Sequence, residues 1–171
     1  MLSEKLLKDL NTQIKYEFYA AHLYMAMAAY CDSEDLDGFA NFFKMQAEEE
    51  RFHAMKLYDF VNQMDGRIVM QGLDEPNNDF TSMLDAFQKA LAHEQHVTKQ
   101  IYTLMDRASA EKEHATMSLL KWFIDEQVEE EDMFKNLVKK LERIGDDGTG
   151  LYMLDGELAQ RVFTPPANTA Q

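Results

Sequence analysis

Apolar residues recur at alternating intervals of three and four along four stretches of the chain, the spacing of helices that pack knobs into holes. The first stripe runs Leu7, Leu10, Ile14, Glu17, Ala21, Tyr24, Ala28, and the second Phe39, Phe43, Gln46, Glu50, His53, Leu57, Phe60, Met64. The third runs Leu84, Phe87, Leu91, Glu94, Thr98, Ile101, Met105, Ala108, and the fourth Leu120, Phe123, Gln127, Glu130, Phe134, Leu137, Leu141, Ile144. Residues 1–37, 39–65 and 77–144 contain neither glycine nor proline, the residues that punctuate helices. The pattern predicts helices over about 4–31, 36–64, 82–108 and 112–144, with a short fifth near 151–161. Ser82 with Asp85 resembles a capping box, and Gly145 after Lys139, Lys140 and Arg143 marks a helix C-terminus. The joint between the third and fourth helices is expected at Ala108-Ser109-Ala110.

Connection lengths set the topology. Short links make the first and second helices, and the third and fourth, antiparallel neighbours. The link at 65–81 is longer. Its 17 residues reach roughly 56–61 Å when extended, against about 42 Å for a 28-residue helix. It can therefore run the length of the molecule and make the second and third helices parallel. The predicted fold is all-α: a four-helix bundle with one long crossover and a short fifth helix. One domain is expected over 1–163, followed by a mobile C-terminal tail, 164–171.

Charge narrows the function. With 17 basic and 31 acidic residues the net charge is −14, which speaks against nucleic acid and anionic lipid as partners and favours cations. The single cysteine, Cys31, excludes an internal disulfide or a Cys₄ metal site. No apolar run is long enough to cross a membrane, and the amphipathic start is unlike a signal peptide, so a cytoplasmic location is expected.

Each stripe is interrupted by polar residues near its middle: Glu17; Glu50 with His53; Glu94; Gln127 with Glu130. In a bundle with aligned ends these lie at one level. The halves match, since 50 − 17 and 127 − 94 both equal 33, and each half carries a partner at i+3, His53 or Glu130. A wrong helical register would leave such residues solvated, but four glutamates and a histidine on four seams fit that poorly. Buried carboxylates without counter-charge cost several kcal/mol each, and no lysine or arginine lies on the seams at this level. Two divalent cations would balance four carboxylates. The set has the form of di-iron and di-manganese carboxylate bundles, with Gln127-Val128-Glu129-Glu130 standing where Glu-x-x-His would complete the second half.

At these residues the sequence resembles the ferritins, the bacterial non-haem ferritins in particular. The resemblance covers about residues 3–161. It is carried by Glu17 with Tyr24, Glu48-Glu49-Glu50-Arg51-Phe52-His53, Glu94, Glu126-Gln127-Val128-Glu129-Glu130 and Gly150-Leu151-Tyr152-Met153-Leu154-Asp155. It implies a 24-subunit cage that oxidises Fe(II) with O₂ or hydrogen peroxide and stores ferric mineral. It implies Glu17, Glu50 and His53 on one iron, and Glu50, Glu94 and Glu130 on the other, with Gln127 beside the pair. It also implies a third iron at Glu49, Glu126, Glu129 and Glu130. No haem is expected, because Arg51 occupies the place of the bacterioferritin methionine. Glu130 in place of histidine should loosen the second iron and favour its release.

Other readings stay open on sequence grounds. Tyr24, on the face of Glu17, is either core with a satisfied hydroxyl, a hydrogen-bond donor to a ligand, or a one-electron donor. Glu49, Glu126 and Glu129 are either a solvated acidic face or third-site ligands. His22, His93, His96 and His114 lie off the seams and read as surface or interface. Peroxide scavenging with little storage, and a metal-free adaptor bundle, are the rival functions.

Overall fold

A computed structural model of the chain describes residues 2–166. Of the expected C-terminal tail, residues 167–171 lie outside the described residues. Five helices form: α1 (Glu4–Ser33), α2 (Asp37–Gln63), α3 (Met83–Ala110), α4 (His114–Ile144) and α5 (Gly148–Leu158). The chain is all-helical among the described residues. The signals read from sequence act locally: the Ser82 hydroxyl accepts from the Asp85 amide at 3.0 Å, and Gly145 ends α4 at φ 54°. The chief differences from expectation lie at the α3–α4 joint and at both ends of α5, which stops at Leu158 rather than near 161. The α3–α4 joint falls at Glu111-Lys112-Glu113 rather than at Ala108-Ser109-Ala110, whose small residues continue the helix. Lys112 takes the left-handed turn at φ 54°. α5 begins at Gly148, earlier than expected, because the Asp147 side chain caps it by accepting from Thr149 N at 3.1 Å.

α1 pairs with α2 and α3 with α4, and α1 also touches α3. The crossover follows α1 from near its start to its end. Asn11 donates to the Arg67 carbonyl (3.1 Å) and accepts from Val69 N (2.7 Å). Further along, Lys15 meets Asp74 at 3.5 Å, and Phe80 packs on Tyr30 with ring centroids 5.3 Å apart. From Asn11 to Tyr30 is 19 residues, about 28 Å of helix. The crossover thus delivers α3 beside the end of α1, which makes α2 and α3 parallel.

The seams hold near their middles and drift at their ends. Leu6, Val61 and Met83 are buried where Leu7, Phe60 and Leu84 were expected, and the latter three are half-buried. The reason is geometric. A three-four alternation averages 3.5 residues per turn, whereas a straight α-helix has 3.6, so the stripe slips by about 20° per heptad. At those three ends the inward-facing residue is found one position further out, whereas the rest of α3 is turned as a whole, with Ala90, Val97 and Leu104 buried where Leu91, Thr98 and Met105 were expected. Two apolar clusters result. One gathers Tyr24, Phe39, Phe43, Phe87 and Phe134; the other gathers Leu6, Leu10, Leu57, Ile101, Leu120 and Phe123. The polar level lies between them.

α5 is tied to α2 by an unusual cap. Leu36, at the N-cap of α2, offers no side-chain acceptor. The Asp155 carboxylate of α5 fills that role from outside, accepting from Gly38 N (2.8 Å) and Phe39 N (3.0 Å). Gly38 permits the approach, since a Cβ there would collide with the Asp155 backbone carbonyl.

Candidate metal centre

The mid-seam polar residues point inward. Glu17, Glu50, His53, Glu94, Gln127 and Glu130 are all buried, none more than 4% exposed. Glu17, Glu50 and His53 bring one ligand atom each within 4.8 Å of one another, and so do Glu50, Glu94 and Glu130. Glu50 belongs to both groups. A third group, Glu49, His53 and Glu130, satisfies the same limit.

Amides orient these carboxylates. Gln13 donates to Glu17 Oε1 at 2.8 Å, and Gln46 donates to Glu50 Oε1 at 3.3 Å and to Glu130 Oε1 at 3.0 Å. Gln127 donates to Glu94 Oε2 at 3.1 Å and to the Glu94 carbonyl at 3.2 Å. The Tyr24 hydroxyl donates to Glu94 Oε1. Its ring lies between Phe43 and Phe134, with centroids 6.0 and 5.9 Å away. His53 Nδ1 lies 3.5 Å from Glu50 Oε2, and its ring packs edge-on to Trp122 at 5.5 Å.

Two features of this cluster ask for a cation. His53 Nε2 and Glu130 Oε2 are buried with no hydrogen-bond partner, although buried polar atoms are nearly always paired. Among the described residues, no lysine or arginine forms an ion pair with Glu17, Glu50, Glu94 or Glu130. The metal-free cluster relieves itself with protons instead. Burial, then the charges of Glu94 and Glu17, push Glu50 well above the ordinary carboxylate range. Burial, then Glu94 and Glu50, do the same to Glu130. Burial also raises Glu17, against the lowering influence of His53. Burial pulls His53 down, but Glu130, Glu17, Glu49 and Glu126 outweigh it and hold the imidazolium above its usual range. Burial, followed by the Glu94 charge, keeps the Tyr24 phenol protonated far above its normal range.

The outer acidic residues are gathered only in part. Glu49 is half-buried and joins His53 and Glu130. Glu126 is half-buried, with Oε2 4.0 Å from His53 Nε2. Glu129 is exposed and joins no such group. Of the off-seam histidines, His22, His96 and His114 are exposed, whereas His93 is half-buried against Tyr19 and Tyr24, at 6.1 and 6.0 Å.

Several supporting residues escaped the sequence reading. Gln13 lies off the expected first stripe and Gln46 is simply one position of the second, yet each stands four residues before a buried glutamate. A signal was present: 46 − 13 is 33, the same repeat that relates Glu17 to Glu50. Arg161, from beyond α5, was also missed. It donates to Gln46 Oε1 at 2.7 Å and to Glu49 Oε2 at 2.9 Å. No periodic signal could have found it, because it follows the last helix.

Comparison with known proteins agrees with this geometry. The family described as the ferritin-like domain matches residues 7–144. The chain is 49% identical over 163 residues to the bacterial non-heme ferritin of Staphylococcus aureus (strain USA300), covering 95% of this chain and 98% of the relative. It is 50% identical, with the same coverage, to that of Staphylococcus saprophyticus. Among solved structures it is similar to an Archaeoglobus fulgidus ferritin engineered to a closed form, with a TM-score of 0.95 and 44% identity, over 96% of this chain and 100% of the other. The open-pore ferritin of the same archaeon gives a TM-score of 0.94 at 44% identity, over 95% of this chain and 100% of the other.

Proposed function

The chain belongs to the ferritin family, and on that premise we propose that it is an iron-storage ferroxidase. Its substrate is Fe(II), its oxidant O₂ or hydrogen peroxide, and its product a ferric mineral held inside a 24-subunit homo-oligomeric cage in the cytoplasm. The observation that carries this reading is the pair of buried triads sharing Glu50, with no lysine or arginine among the described residues in an ion pair with their carboxylates. Oxygen-rich sites suit iron, and two Fe(II) ions cancel the charge of four ionised glutamates.

The chain's own residues then have definite tasks. Glu17 and His53 would hold one Fe(II), Glu94 and Glu130 the other, and Glu50 both. Gln13 and Gln46 fix the carboxylates through N–H donation, so the ligands are arranged before iron arrives. Tyr24 and Gln127 pin Glu94 from two sides. Binding expels the protons held by Glu50, Glu130 and Glu17, and the one on the ligating nitrogen of His53. When each iron gives up one electron, the pair reduces O₂ to hydrogen peroxide with two protons, and those released by the glutamates are at hand. Carboxylate-rich ligation favours Fe(III) over Fe(II) and so drives the oxidation. Glu130, which stands where a histidine would complete Glu-x-x-His, leaves the second ion less firmly held and able to pass on. Glu49 and Glu126 would supply a further cation position beside the pair, with exposed Glu129 at its outer edge.

The test is iron turnover by the assembled protein. Rapid oxidation of two Fe(II) per chain, followed by uptake of far more iron than there are ligand sites, is the expected result. Retention of only two per chain would identify a fixed di-iron cofactor instead. No fast oxidation at all would refute the proposal.

A further inference from the structure

Beyond α5 the chain turns back over α2 and is held there. Asn41 Nδ2 donates to the carbonyls of Leu158 (3.1 Å), Ala159 (3.3 Å) and Arg161 (3.0 Å). These bonds aim the Arg161 guanidinium inward. It lies 4.3 Å over the Phe42 ring and donates to the Phe42 carbonyl at 3.3 Å. Its other nitrogen contacts both Gln46 and Glu49. The ion pair is well shielded, with side-chain exposures of 19% for Arg161 and 20% for Glu49.

Glu49 is thereby claimed twice. One of its oxygens also belongs to the group with His53 and Glu130, and those two residues carry two of the three buried side-chain atoms without partners among the described residues, His53 Nε2 and Glu130 Oε2. A metal ion entering there would need Glu49 and would meet a fixed positive charge already bonded to it. We propose that Arg161 is a positioning residue and tethered competitor for Glu49, which weakens cation binding at the outer position that Glu49 offers beside Glu130, so that an ion there is passed on rather than kept. This inference rests on the di-iron reading of the inner triads.

Two effects oppose each other. Arg161 orders Glu49, which favours binding; its charge repels a second cation, which disfavours it. A neighbouring charge within about 4–6 Å moves an ionisation equilibrium by one to three log units, and a divalent ion responds at least as strongly. Ordering one glutamate side chain gains less than this. The charge wins, so removing it should tighten the outer site. Gln46 carries a milder effect inward, since Arg161 holds its oxygen and leaves its N–H to Glu50 and Glu130.

The experiment is calorimetric titration of the assembled, metal-free protein with Zn(II), which is redox-inert, alongside Co(II) titrations followed by visible absorption. The wild type should bind two equivalents per chain tightly and a third weakly. R161Q should tighten the third by about tenfold or more and leave the first two within about twofold. R161K, which keeps the charge, should retain weak third-site binding. Third-site affinity that is unchanged, weaker or absent in R161Q overturns the inference, as does R161K behaving like R161Q. If R161Q fails to assemble, the comparison of R161K with E49Q decides: E49Q must abolish the third equivalent and R161K must not. An E50Q control separates the two levels. Loss of the tight pair in E50Q with no effect in R161Q sinks the Arg161 inference alone, whereas a tight pair surviving in E50Q sinks the di-iron reading beneath it.

Discussion

Substituting Glu50 by Gln should make the metal-free protein more stable and the iron chemistry fail. Glu50 lies in both triads, and its ligand atoms come within 4.8 Å of Glu17 and His53 on one side and of Glu94 and Glu130 on the other. At that separation two unit charges repel by about 3.5 kcal/mol at an effective dielectric near 20. Part of this is already relieved by protons held on Glu50, Glu17 and Glu130. The net gain on removing the charge is therefore about 1–3 kcal/mol in the metal-free state at neutral pH. Glutamine is nearly isosteric, its oxygen accepts from Gln46, and its N–H can donate to Glu17, so no buried atom is newly orphaned. Denaturant titration of metal-free protein should show a higher midpoint with unchanged slope. Stopped-flow mixing with Fe(II) and O₂ should show the fast phase slowed by more than about 100-fold, since even outer-sphere losses at metal sites cost 10–100-fold. A destabilised metal-free E50Q would refute the claim that these carboxylates are held at an energetic cost, and a normal fast phase would refute its role in joining the two ions.

Further outcomes follow from the same geometry. Glu17, Glu50, Glu130 and His53 all hold protons more tightly folded than unfolded. Their contribution is complete below the ordinary carboxylate range and is lost as pH rises through their raised values. Metal-free stability should thus fall as pH rises from the ordinary carboxylate range, while Zn(II)-loaded protein should not show this loss, because the metal replaces the protons. A flat metal-free profile would contradict the assignment. Asp155→Ala removes the outside cap from Gly38 and Phe39 and should lower stability by about 0.5–2 kcal/mol. It should leave the oxidation rate intact, because Glu50 is 12 residues, about 18 Å, along α2; an altered rate with normal stability would show α5 acting on the site itself. Tyr24→Phe deletes the hydrogen bond to Glu94 and should slow oxidation while the fold, held by the stacking of Phe43 and Phe134, persists; unchanged kinetics would reduce Tyr24 to packing.

The centre was legible because it violates a pattern. Glutamates at 17, 50, 94 and 130 interrupt apolar seams at their middles, where the three-four alternation and the true helical period still agree, so they were assigned inward correctly. Toward the helix ends the two periods part, and Leu7, Phe60 and Leu84 lie one residue from the buried position; on α3 Leu91, Thr98 and Met105 do so as well, because the helix is turned as a whole. The early start of α5 turned on one side-chain bond from Asp147, a detail that glycines at 148, 150 and 156 obscure. Contacts between elements far apart in sequence were invisible for a different reason. Asp155 capping α2 and Arg161 reaching Gln46 and Glu49 depend on where α5 docks, and no local periodicity encodes docking. Gln13 and Gln46 stand between these cases, since their spacing repeated that of the glutamates they support.

The central claim is that the buried carboxylates and His53 are there to receive a pair of iron ions. Anomalous scattering at the iron edge, from crystals of the assembled protein soaked anaerobically in Fe(II), tests it most directly. Two strong peaks inside each bundle are predicted, one beside Glu17, Glu50 and His53 and one beside Glu50, Glu94 and Glu130, with any weaker peak on the Glu49 side. Iron found only on outward-facing acids, with the bundle interior empty, would contradict it.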